Sequence, residues 1–396
     1  MKNIDDILVR GVANIIPDKN KLAEALENKK LNVYLGIDPT ATKIHLGHAV
    51  ALRKIQKIAE LGHNVTFLIG DFTALIGDTS DKDSERPILT SDEIEENFKT
   101  YKKQAEKILD FTKIKVVHNS EWLSKLNFKD VVELTQKFTV NDFISRELIK
   151  KRLSDGKSVR LQEVLYPVMQ GYDSYHLDTD LQVGGADQTF NMQAGRTLQK
   201  LLRNKDSFVL STEYLIGTDG QKMSKSQGNA IWLDDNPRDM YGKVMSIKDD
   251  VIADYFMLAT DTPIEKVDEV KKAIKSGENP INYKKALAFE IVSQLHSEKD
   301  AEDAQKYFEQ TVQNKQLPED MPTVTLNPDN HSQISELLVE LGLAGSRSEA
   351  KRLVEQGAVL INEELIEQPN LEIIPEDNMI IKAGKRSYVR IKLSSE

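Results

Sequence analysis

Short apolar runs rich in β-branched residues alternate with longer helical patterns in the first half of the chain, and this order limits its fold more than any other feature. Three of the runs are LNVYLGID (31–38), NVTFLIGDF (64–72) and KIKVVHNS (113–120). Helical spacing follows the first run at 45–61, and it follows the second from a capping-box start at Thr90. The alternation predicts an α/β fold with a Rossmann-like, mostly parallel sheet, whose ligands bind beyond the carboxyl ends of the strands.

The pattern then changes along the chain, and the changes predict four parts. After Ser226 the strand patterns fade, and helical spacing continues to about Gln313. Residues 316–330 contain three prolines and little periodicity, which is typical of a linker, whereas helix, helix and strand patterns follow from Ser332. We therefore expect a Rossmann-like α/β domain at 1–226, a helical domain at 227–315, a linker at 316–331 and a small α+β domain at 332–396.

Composition excludes several classes of function. The formal net charge is -10, so any contact with nucleic acid must come from local basic patches rather than from bulk attraction. The absence of cysteine excludes disulfides, thiolate nucleophiles and cysteine-ligated zinc. No apolar run reaches the ~18 residues of a membrane span, and the N-terminus lacks a signal-peptide pattern. We therefore expect a cytoplasmic protein without a membrane segment.

Two histidines stand where the first predicted strand passes into a helix. Gly36 and Asp38 close the strand, and His45, Gly47 and His48 open the helix. Unpaired N–H groups and a positive dipole end at a helix start suit phosphate, and imidazoles three residues apart share one face there. Gly47 leaves room for a flat base beside the backbone. The alternative, two half-buried helix residues, is commoner for an arbitrary histidine pair.

A second basic motif lies in GTDGQKMSKSQGN (217–229). Lys222 and Lys225 stand there among Gly, Ser and Thr residues with hardly any apolar anchor. Two ammonium groups on a mobile loop can follow negative charge as it grows on a leaving phosphate group. The alternative is a solvated basic turn.

A polar stripe marks a third candidate region. Tyr166, Gln170 and Asp173 are spaced by four and three residues, so they share one side of a helix, and Asp187 and Gln188 follow in QVGGADQ. The apolar neighbours of the stripe predict that this helix is largely buried, which weakens the alternative of a solvated face. Such a stripe suits the wall of a polar pocket.

The HLGH and KMSKS strings, in this order and ~170 residues apart, resemble the two signature motifs of class I aminoacyl-tRNA synthetases. The polar stripe, with Tyr34 and Asp78, resembles the tyrosine-specific family over nearly the whole chain. The resemblance implies a reaction in which L-tyrosine and ATP give tyrosyl-adenylate and pyrophosphate, after which tyrosine passes to the 3′ end of tRNA(Tyr). Because the substrate carboxylate is itself the nucleophile, no general base is required.

The resemblance also implies residue roles. Tyr34 and Asp173 would hold the phenolic hydroxyl group of the substrate, so that phenylalanine would leave both unpaired. The other implied tyrosine-binding residues are Asp78, Tyr166 and Gln170 for the α-ammonium group, Gln188 for the carboxylate or a ribose, and Asn119 as a weaker candidate. The implied ATP contacts are Gly36, Asp38, Gly47 and Asp187 on the nucleoside side, and Thr40, His45 and His48 on the phosphates, joined by Lys222 and Lys225 in the transition state.

One loop departs from the family pattern. Lys82 and Arg86 match mobile pyrophosphate contacts, but Thr79, Ser80 and Asp81 replace the usual proline, small residue and glycine, which leaves the geometry of the loop open. An exposed polar loop is the alternative. We expect magnesium to accompany ATP as part of the substrate and expect no protein-bound metal, because the sequence shows no dedicated carboxylate cluster.

The C-terminal part resembles the S4 RNA-binding domain. The residues that could face RNA phosphates there are Arg347, Lys351, Arg352, Lys385 and Arg386. A solvated amphipathic helix is the alternative for each single residue. The family also implies a homodimer with tRNA bridging the subunits.

Two other classes of function remain open. One is a nucleotidyl transferase that applies the same chemistry to a small acid and needs neither tRNA nor the C-terminal domain. The other is a non-catalytic RNA-binding protein on a retired synthetase fold, although the intact motifs argue against it. Tryptophan-specific enzymes share the overall scheme. Asp173 is the residue that discriminates between the tyrosine and tryptophan families, because a hydroxyl-binding aspartate would be a poor neighbour for an indole.

Overall fold

The computed structural model describes residues 4–40, 42–77, 90–144, 146–225, 227–313, 321–327, 332–384 and 387–394. The chain forms two compact units. The first consists of Met1–Asn236 and Lys243–Ser297, and the second consists of Pro237–Gly242 and Glu298–Glu396.

A six-stranded sheet forms the centre of the first unit. Its strands are β1 (Val12–Ile16), β2 (Asn32–Ile37), β3 (Asn64–Ile69), β4 (Ile114–His118), β5 (Leu181–Gly185) and β6 (Phe208–Thr212). They lie in the order β1-β6-β5-β2-β3-β4, with β1 antiparallel to β6 and all other neighbours parallel. The predicted α/β fold is thereby confirmed. Because the strand order reverses at β2, a crevice is expected between the carboxyl ends of β2 and β5.

Helices surround this sheet. They are α1 (Ile4–Val9), α2 (Lys19–Asn28), α3 (Leu46–Glu60), α4 (Asp71–Ala74), α5 (Ser91–Ala105), α6 (Ser120–Leu123), α7 (Phe128–Thr135), α8 (Val140–Ile144), α9 (Glu147–Ser154), α10 (Leu161–His176), α11 (Thr189–Arg203), α13 (Ile252–Ala259), α14 (Ile264–Lys275) and α15 (Pro280–Leu295), with α12 (Pro237–Met245) divided between the two units and short 3₁₀ turns at Ala186–Gln188 and Asp249–Val251. Within the described ranges, no helix has the length and apolar character needed to cross a membrane.

Local sequence signals explain where the helices nearest the site begin. His45 is the N-cap of α3, so both histidines occupy the first turn, as predicted. Thr90 is the N-cap of α5 and exchanges capping-box hydrogen bonds with Glu93, which also confirms the prediction. The apolar face of α3 is fully buried, with Leu46 and Ile55 at 0% exposure, and this burial anchors the helix against the sheet.

The second unit has its own core. Its elements are α16 (Glu298–Phe308), a π-helical turn (Glu309–Gln313), α17 (Ile334–Glu340), α18 (Arg347–Glu355), and the strands β7 (Thr323–Leu326), β8 (Ser332–Gln333), β9 (Val359–Ile361), β10 (Glu364–Leu365), β11 (Glu372–Ile373), β12 (Ile380–Ala383) and β13 (Ser387–Leu393). Five strands lie in the order β10-β9-β12-β13-β7, and β11 pairs with β8. Helices α17 and α18 pack together, and Leu337, Ala350 and Ile381 are fully buried in one cluster.

One secondary-structure expectation needs correction. The segment predicted as a linker contains β7, which pairs in parallel with β13 through Thr323↔Arg390 to Leu326↔Leu393. This strand has four residues, and its partner lies more than sixty residues later in the sequence. A short run between prolines carries too little local periodicity to predict such a pairing.

Candidate active site

The candidate residues gather at the carboxyl ends of β2 and β5. Strand β2 leads to Gly36 and Asp38, and β5 continues directly into the turn that carries Asp187 and Gln188. The two strands are neighbours at the reversal of strand order, so they define one crevice. A Cβ on Gly185 would lie 2.5 Å from Asp187 Oδ1, so a larger residue there would displace the Asp187 carboxylate.

Asp38 is the centre of a polar network in this crevice. Its Oδ1 accepts a hydrogen bond of 2.8 Å from Thr73 Oγ1, and its Oδ2 accepts one of 2.8 Å from the Tyr166 hydroxyl group. A Cβ on Gly70 would lie 2.0 Å from Asp38 Oδ1, so this position has room only for glycine. The backbone N–H of Thr40 donates to the Asp38 carbonyl oxygen. Asp38 and Tyr166, which were predicted on the ATP and tyrosine sides respectively, are therefore in direct contact.

Tyr34 and Asp173 form the buried end of the crevice, with exposures of 3% and 2%. The Tyr34 hydroxyl group donates to Gln182 Oε1 at 3.2 Å and lies 3.4 Å from the Gln170 carbonyl oxygen. Burial raises the pKa of Asp173 to about 8, and hydrogen bonds from Asn119 and Trp122 oppose that rise. Burial and the charge of Asp173 raise the pKa of Tyr34 well above its usual value.

Two donors hold the Asp173 carboxyl group. Trp122 Nε1 donates to Oδ1 at 2.7 Å, and Asn119 Nδ2 donates to Oδ2 at 3.1 Å. Asn119 is fully buried, and it also donates to Thr73 Oγ1 at 3.0 Å and accepts from the Phe72 N–H at 2.9 Å. The weaker candidate Asn119 is thus placed against Asp173, between the ends of β3 and β4.

Helix α10 supplies the predicted polar stripe. Tyr166 and Asp173 are buried and Gln170 is half-buried, so the stripe faces the protein interior rather than solvent. Tyr166 contacts Asp38, and the Gln170 carbonyl oxygen lies near Tyr34, so α10 runs along β2. Gln188 accepts a hydrogen bond of 3.1 Å from Asn191 Nδ2 at the start of α11.

The two histidines of the first motif stack. Their ring centroids are 3.8 Å apart at an interplanar angle of 28°, and the His45 N–H donates to His48 Nδ1 at 3.3 Å. A Cβ on Gly47 would lie 3.0 Å from the His45 ring, which explains the small residue between them. Burial lowers the pKa of His45 to about 3, helped by the charges of Lys225 and Lys222, so this ring is neutral at physiological pH.

The lysine motif lies next to the histidines. His45 forms an antiparallel bridge with Trp232, flanked by hydrogen bonds from Leu46 N to Ile231 O and from Leu233 N to Ile44 O, both 2.9 Å. The segment that follows Lys225 therefore runs alongside the start of α3. His45 Nδ1 is buried.

Each lysine of the motif has a defined environment. Lys222 Nζ lies 4.0 Å above the Tyr214 ring and 3.8 Å from Asp187 Oδ2. Lys225 Nζ donates to the Tyr101 hydroxyl group at 2.6 Å. Met223, between the lysines, is only 2% exposed. The expectation that this segment has hardly any apolar anchor is therefore corrected, because this buried methionine anchors it.

Some predicted residues fall outside the described part of the chain. Asp78, Lys82, Arg86 and the whole Thr79–Arg86 loop lie within 78–89, and Lys385 and Arg386 lie between β12 and β13. The remaining RNA candidates are exposed on α18, where Arg347 Nη2 lies 3.1 Å from Glu336 Oε1 and Lys351 and Arg352 face solvent. Among the residues described, no group of three acidic or histidine side chains could hold a metal ion.

The sequence interpretation missed Gln182 and Trp122. Gln182 is 1% exposed and stands in the otherwise apolar strand β5, so a lone amide in a buried strand was the available signal. Trp122 was visible only as an aromatic residue near Asn119, and its contact with Asp173 spans 51 positions of sequence.

Comparison with known proteins agrees with this geometry. The family described as tRNA synthetases class I (W and Y) matches residues 26–313, and the tyrosine–tRNA ligase SYY-like C-terminal domain matches residues 313–391. The Tyrosine–tRNA ligase of Thermotoga maritima is 42% identical over 97% of this chain and 96% of its own length. That of Carboxydothermus hydrogenoformans is 43% identical over 98% of this chain and 97% of its own length.

Solved structures share the fold. The tyrosyl-tRNA synthetase of Archaeoglobus fulgidus, solved in complex with L-tyrosine, is 25% identical with a TM-score of 0.61 over 76% of this chain and 99% of that chain. A C-terminally truncated mitochondrial tyrosyl-tRNA synthetase from Coccidioides posadasii has a TM-score of 0.63 at 23% identity, over 76% of this chain and 90% of that chain, which supports the fold alone. From the two family matches and the near full-length relatives, the chain belongs to the class I aminoacyl-tRNA synthetases, and within them to the tyrosine–tRNA ligases.

Proposed function

We propose that the buried end of the crevice is the tyrosine side-chain pocket of this tyrosine–tRNA ligase. The observation that carries this proposal is Asp173, which is 2% exposed, fixed by two donors and close to the Tyr34 hydroxyl group. A substrate phenol would donate to Asp173 and accept from Tyr34. Phenylalanine would leave these polar groups desolvated and unpaired, and tyrosyl enzymes are the standard example of such rejection.

The network around Asp38 would mark the boundary between amino acid and nucleotide. Tyr166 donates to Asp38, so the two residues orient one another. Tyr166 and Gln170 would bind the α-ammonium group together with Asp78. Asp187 and Gln188, at the end of β5, would reach the ribose or the substrate carboxylate.

ATP phosphates would lie at the start of α3. The neutral His45 ring, His48 and Thr40 would donate to phosphate oxygens, helped by the positive dipole end of α3. Magnesium would enter with ATP, held mainly by the phosphates. Lys82 and Arg86 would contact pyrophosphate from their loop.

The activation step needs alignment and charge neutralisation. A carboxylate oxygen of tyrosine attacks the α-phosphorus, a new C–O–P linkage forms, and the bond to the β-phosphate oxygen breaks with pyrophosphate leaving. Lys222 and Lys225 would neutralise the charge that grows on this leaving group, which stabilises the transition state more than the ground state. In the second step, a hydroxyl group of the 3′-terminal ribose of tRNA(Tyr) attacks the carbonyl carbon of tyrosyl-adenylate, and AMP leaves.

The proposed division is a catalytic domain (1–226), a helical tRNA-binding domain (227–315), a linker (316–331) that contains strand β7, and an S4-like RNA-binding domain (332–396). RNA phosphates would be met by the exposed cations of α18 and by Lys385 and Arg386. A cytoplasmic location remains a prediction.

A homodimer is also proposed. Apolar side chains are exposed on neighbouring helices of the first unit: Phe128 on α7 at 84%, Val140 on α8 at 66% and Leu161 on α10 at 74%. Helices α7 and α8 both pack against α10. Exposed apolar residues of this size on adjoining helices favour a protein interface.

The first test is ATP–pyrophosphate exchange without tRNA, with tyrosine, phenylalanine and tryptophan supplied separately. We expect exchange with tyrosine alone. Asp173→Ala should abolish it because the substrate hydroxyl loses its acceptor. Exchange with phenylalanine at a comparable rate would contradict the assignment of the pocket.

A Lys225→Ala variant tests the role of the lysine motif. We expect adenylate formation to slow sharply while the affinity for tyrosine stays nearly unchanged, because the lysine acts on the departing pyrophosphate. Equal losses in rate and tyrosine affinity would contradict a transition-state role.

A further inference from the structure

A row of polar residues on α5 binds the segment that leads from β2 into the first motif. Asn97 Nδ2 donates to the Pro39 carbonyl oxygen at 3.0 Å, and Gln104 Oε1 accepts from the Ile44 N–H at 2.8 Å. Both Gln104 Nε2 and Thr100 Oγ1 donate to the carbonyl oxygen of residue 42, at 2.8 and 2.9 Å. Asn97 and Gln104 are 9% and 6% exposed, so these side chains replace water for an otherwise unpaired backbone.

The same row reaches the second motif. Tyr101 lies between Thr100 and Gln104 and is 1% exposed, yet its hydroxyl group accepts a 2.6 Å hydrogen bond from Lys225 Nζ. The Lys225 ammonium also lies 5.3 Å from the centroid of the Tyr101 ring. Its charge acts on His45, so this hydrogen bond holds the ammonium group in the neighbourhood of the first motif.

A third contact from this helix reaches the chain beyond the lysine motif. Lys107, just after the end of α5, donates to the Leu233 carbonyl oxygen at 2.6 Å. Leu233 itself donates to the Ile44 carbonyl oxygen, so Lys107 supports the pairing between the two motifs. Helix α5 and the residues just after it therefore contact the approach to HLGH, the second lysine of KMSKS and the segment that follows KMSKS.

We propose that Tyr101 is a positioning residue for tyrosine activation, which holds the Lys225 ammonium group near His45. Gln104 fixes the backbone of the residue that precedes His45. The inference rests on the proposed role of Lys225 in the activation step. A lysine side chain loses much rotational freedom when it is ordered. A hydrogen bond that orders it before ATP reacts removes that loss from the activation barrier.

The alternative is that Tyr101 is only a core residue. Its ring does lie among buried side chains, and the sequence pattern placed it on the apolar face of α5. A purely apolar role would be served by phenylalanine. Tyr101→Phe therefore removes the hydroxyl group alone and leaves the packing of the ring in place.

The test is single-turnover formation of tyrosyl-adenylate by the full chain at saturating ATP and tyrosine. For Tyr101→Phe we expect the rate constant to fall about tenfold, as for loss of a hydrogen bond to a charged group, with tyrosine affinity unchanged. Tyr283→Phe is the matched control, because it removes a hydroxyl group whose 2.6 Å hydrogen bond to Glu278 is exposed to solvent. The thermal midpoint of each variant reports whether the fold is retained.

A double-mutant cycle shows whether Tyr101 acts through Lys225. If it does, Tyr101→Phe combined with Lys225→Ala will be no slower than Lys225→Ala alone. Additive losses, or a Tyr101→Phe enzyme that is as fast as or faster than the wild type, would overturn the inference. If Lys225→Ala itself has no effect, the proposed role of Lys225 fails first, so the two failures are distinguishable.

Discussion

At the scale of single residues, the proposed tyrosine pocket contains a carboxyl group whose pKa is strongly raised. Asp173 is buried and accepts hydrogen bonds from Trp122 and Asn119, yet burial still raises its pKa to about 8. The donors favour the ionised form and desolvation favours the neutral form. The pocket therefore holds a carboxyl group that changes charge close to physiological pH.

This titration predicts opposite effects of pH on tyrosine affinity and on stability. A phenol donates best to the ionised carboxylate, so we expect the dissociation constant for tyrosine to fall as pH rises from 6.5 to 8.5. Because the folded pKa lies above the unfolded value of 3.8, the ligand-free protein should lose stability over the same rise. Calorimetric titration and thermal unfolding at three pH values check both effects.

The control for this prediction is Asp173→Asn, which cannot ionise. Tyrosine affinity in this variant should be weak and nearly independent of pH, and its stability should lack the contribution from this group. Wild-type tyrosine affinity that does not change between pH 6.5 and 8.5 would show that Asp173 is already fully ionised.

The sequence predicted the residues of the candidate site better than the residues that hold them in place. Asp38 and His45 were visible at a predicted strand end and a predicted helix start, whereas Tyr34 was implied only by the family resemblance. The residues that support the site do not follow from local patterns, because Trp122 on α6 bonds to Asp173 on α10 across 51 positions of sequence. Gln104 is similar: its side chain binds backbone 60 positions away. Such contacts depend on tertiary structure, which a local pattern does not contain.

At the scale of elements, α3 joins the active site to the N-terminal helix. It begins at His45, and after more than two turns it carries Lys54, whose exposure is 4%. Lys54 Nζ donates to the Ile7 and Arg10 carbonyl oxygens at 2.7 and 2.6 Å, which close the end of α1. Burial lowers the pKa of Lys54 to about 7, partly opposed by the charge of Asp6. A lysine in an amphipathic helix usually predicts exposure, so this burial was not predictable from spacing.

Replacing Lys54 tests this connection. Lys54→Met keeps the apolar stem but leaves the two carbonyl oxygens of α1 without their donor, so we expect about 2 kcal/mol of destabilisation in urea unfolding. The matched control is Lys99→Met on α5, whose side chain is 62% exposed and should change stability by less than about 0.5 kcal/mol. Equal effects of the two variants would show that the buried hydrogen bonds contribute nothing.

At the scale of the whole molecule, the two units differ in how far the sequence predicted them. The sheet of the first unit is built from neighbouring strand–helix–strand segments, so its α/β order is visible along the chain. In the second unit, β7 pairs with β13 from the far end of the domain. The sequence predicted a domain that starts near Ser332, and it did not reveal that Thr323–Leu326 adds a strand to the same sheet.

The last prediction concerns how a chain with net charge -10 can bind an RNA polyanion. If the exposed cations of α18 meet RNA phosphates, Arg347→Gln, Lys351→Gln and Arg352→Gln together should raise the KM for tRNA about tenfold and reduce its dependence on salt. ATP–pyrophosphate exchange should stay unchanged, because these residues belong to the second unit. Arg347 also pairs with Glu336, but an exposed pair contributes about 0–1 kcal/mol, so folding should be retained.

A matched variant separates local contact from total charge. Lys19→Gln, Lys29→Gln and Lys30→Gln remove the same three positive charges from exposed positions at the two ends of α2. If bulk electrostatics governed tRNA binding, both triple variants would weaken it equally. If α18 forms a local patch, only its own variant will raise the KM for tRNA. Equal effects would therefore exclude a specific RNA surface on α18, and the tRNA would then be bound by other parts of the chain.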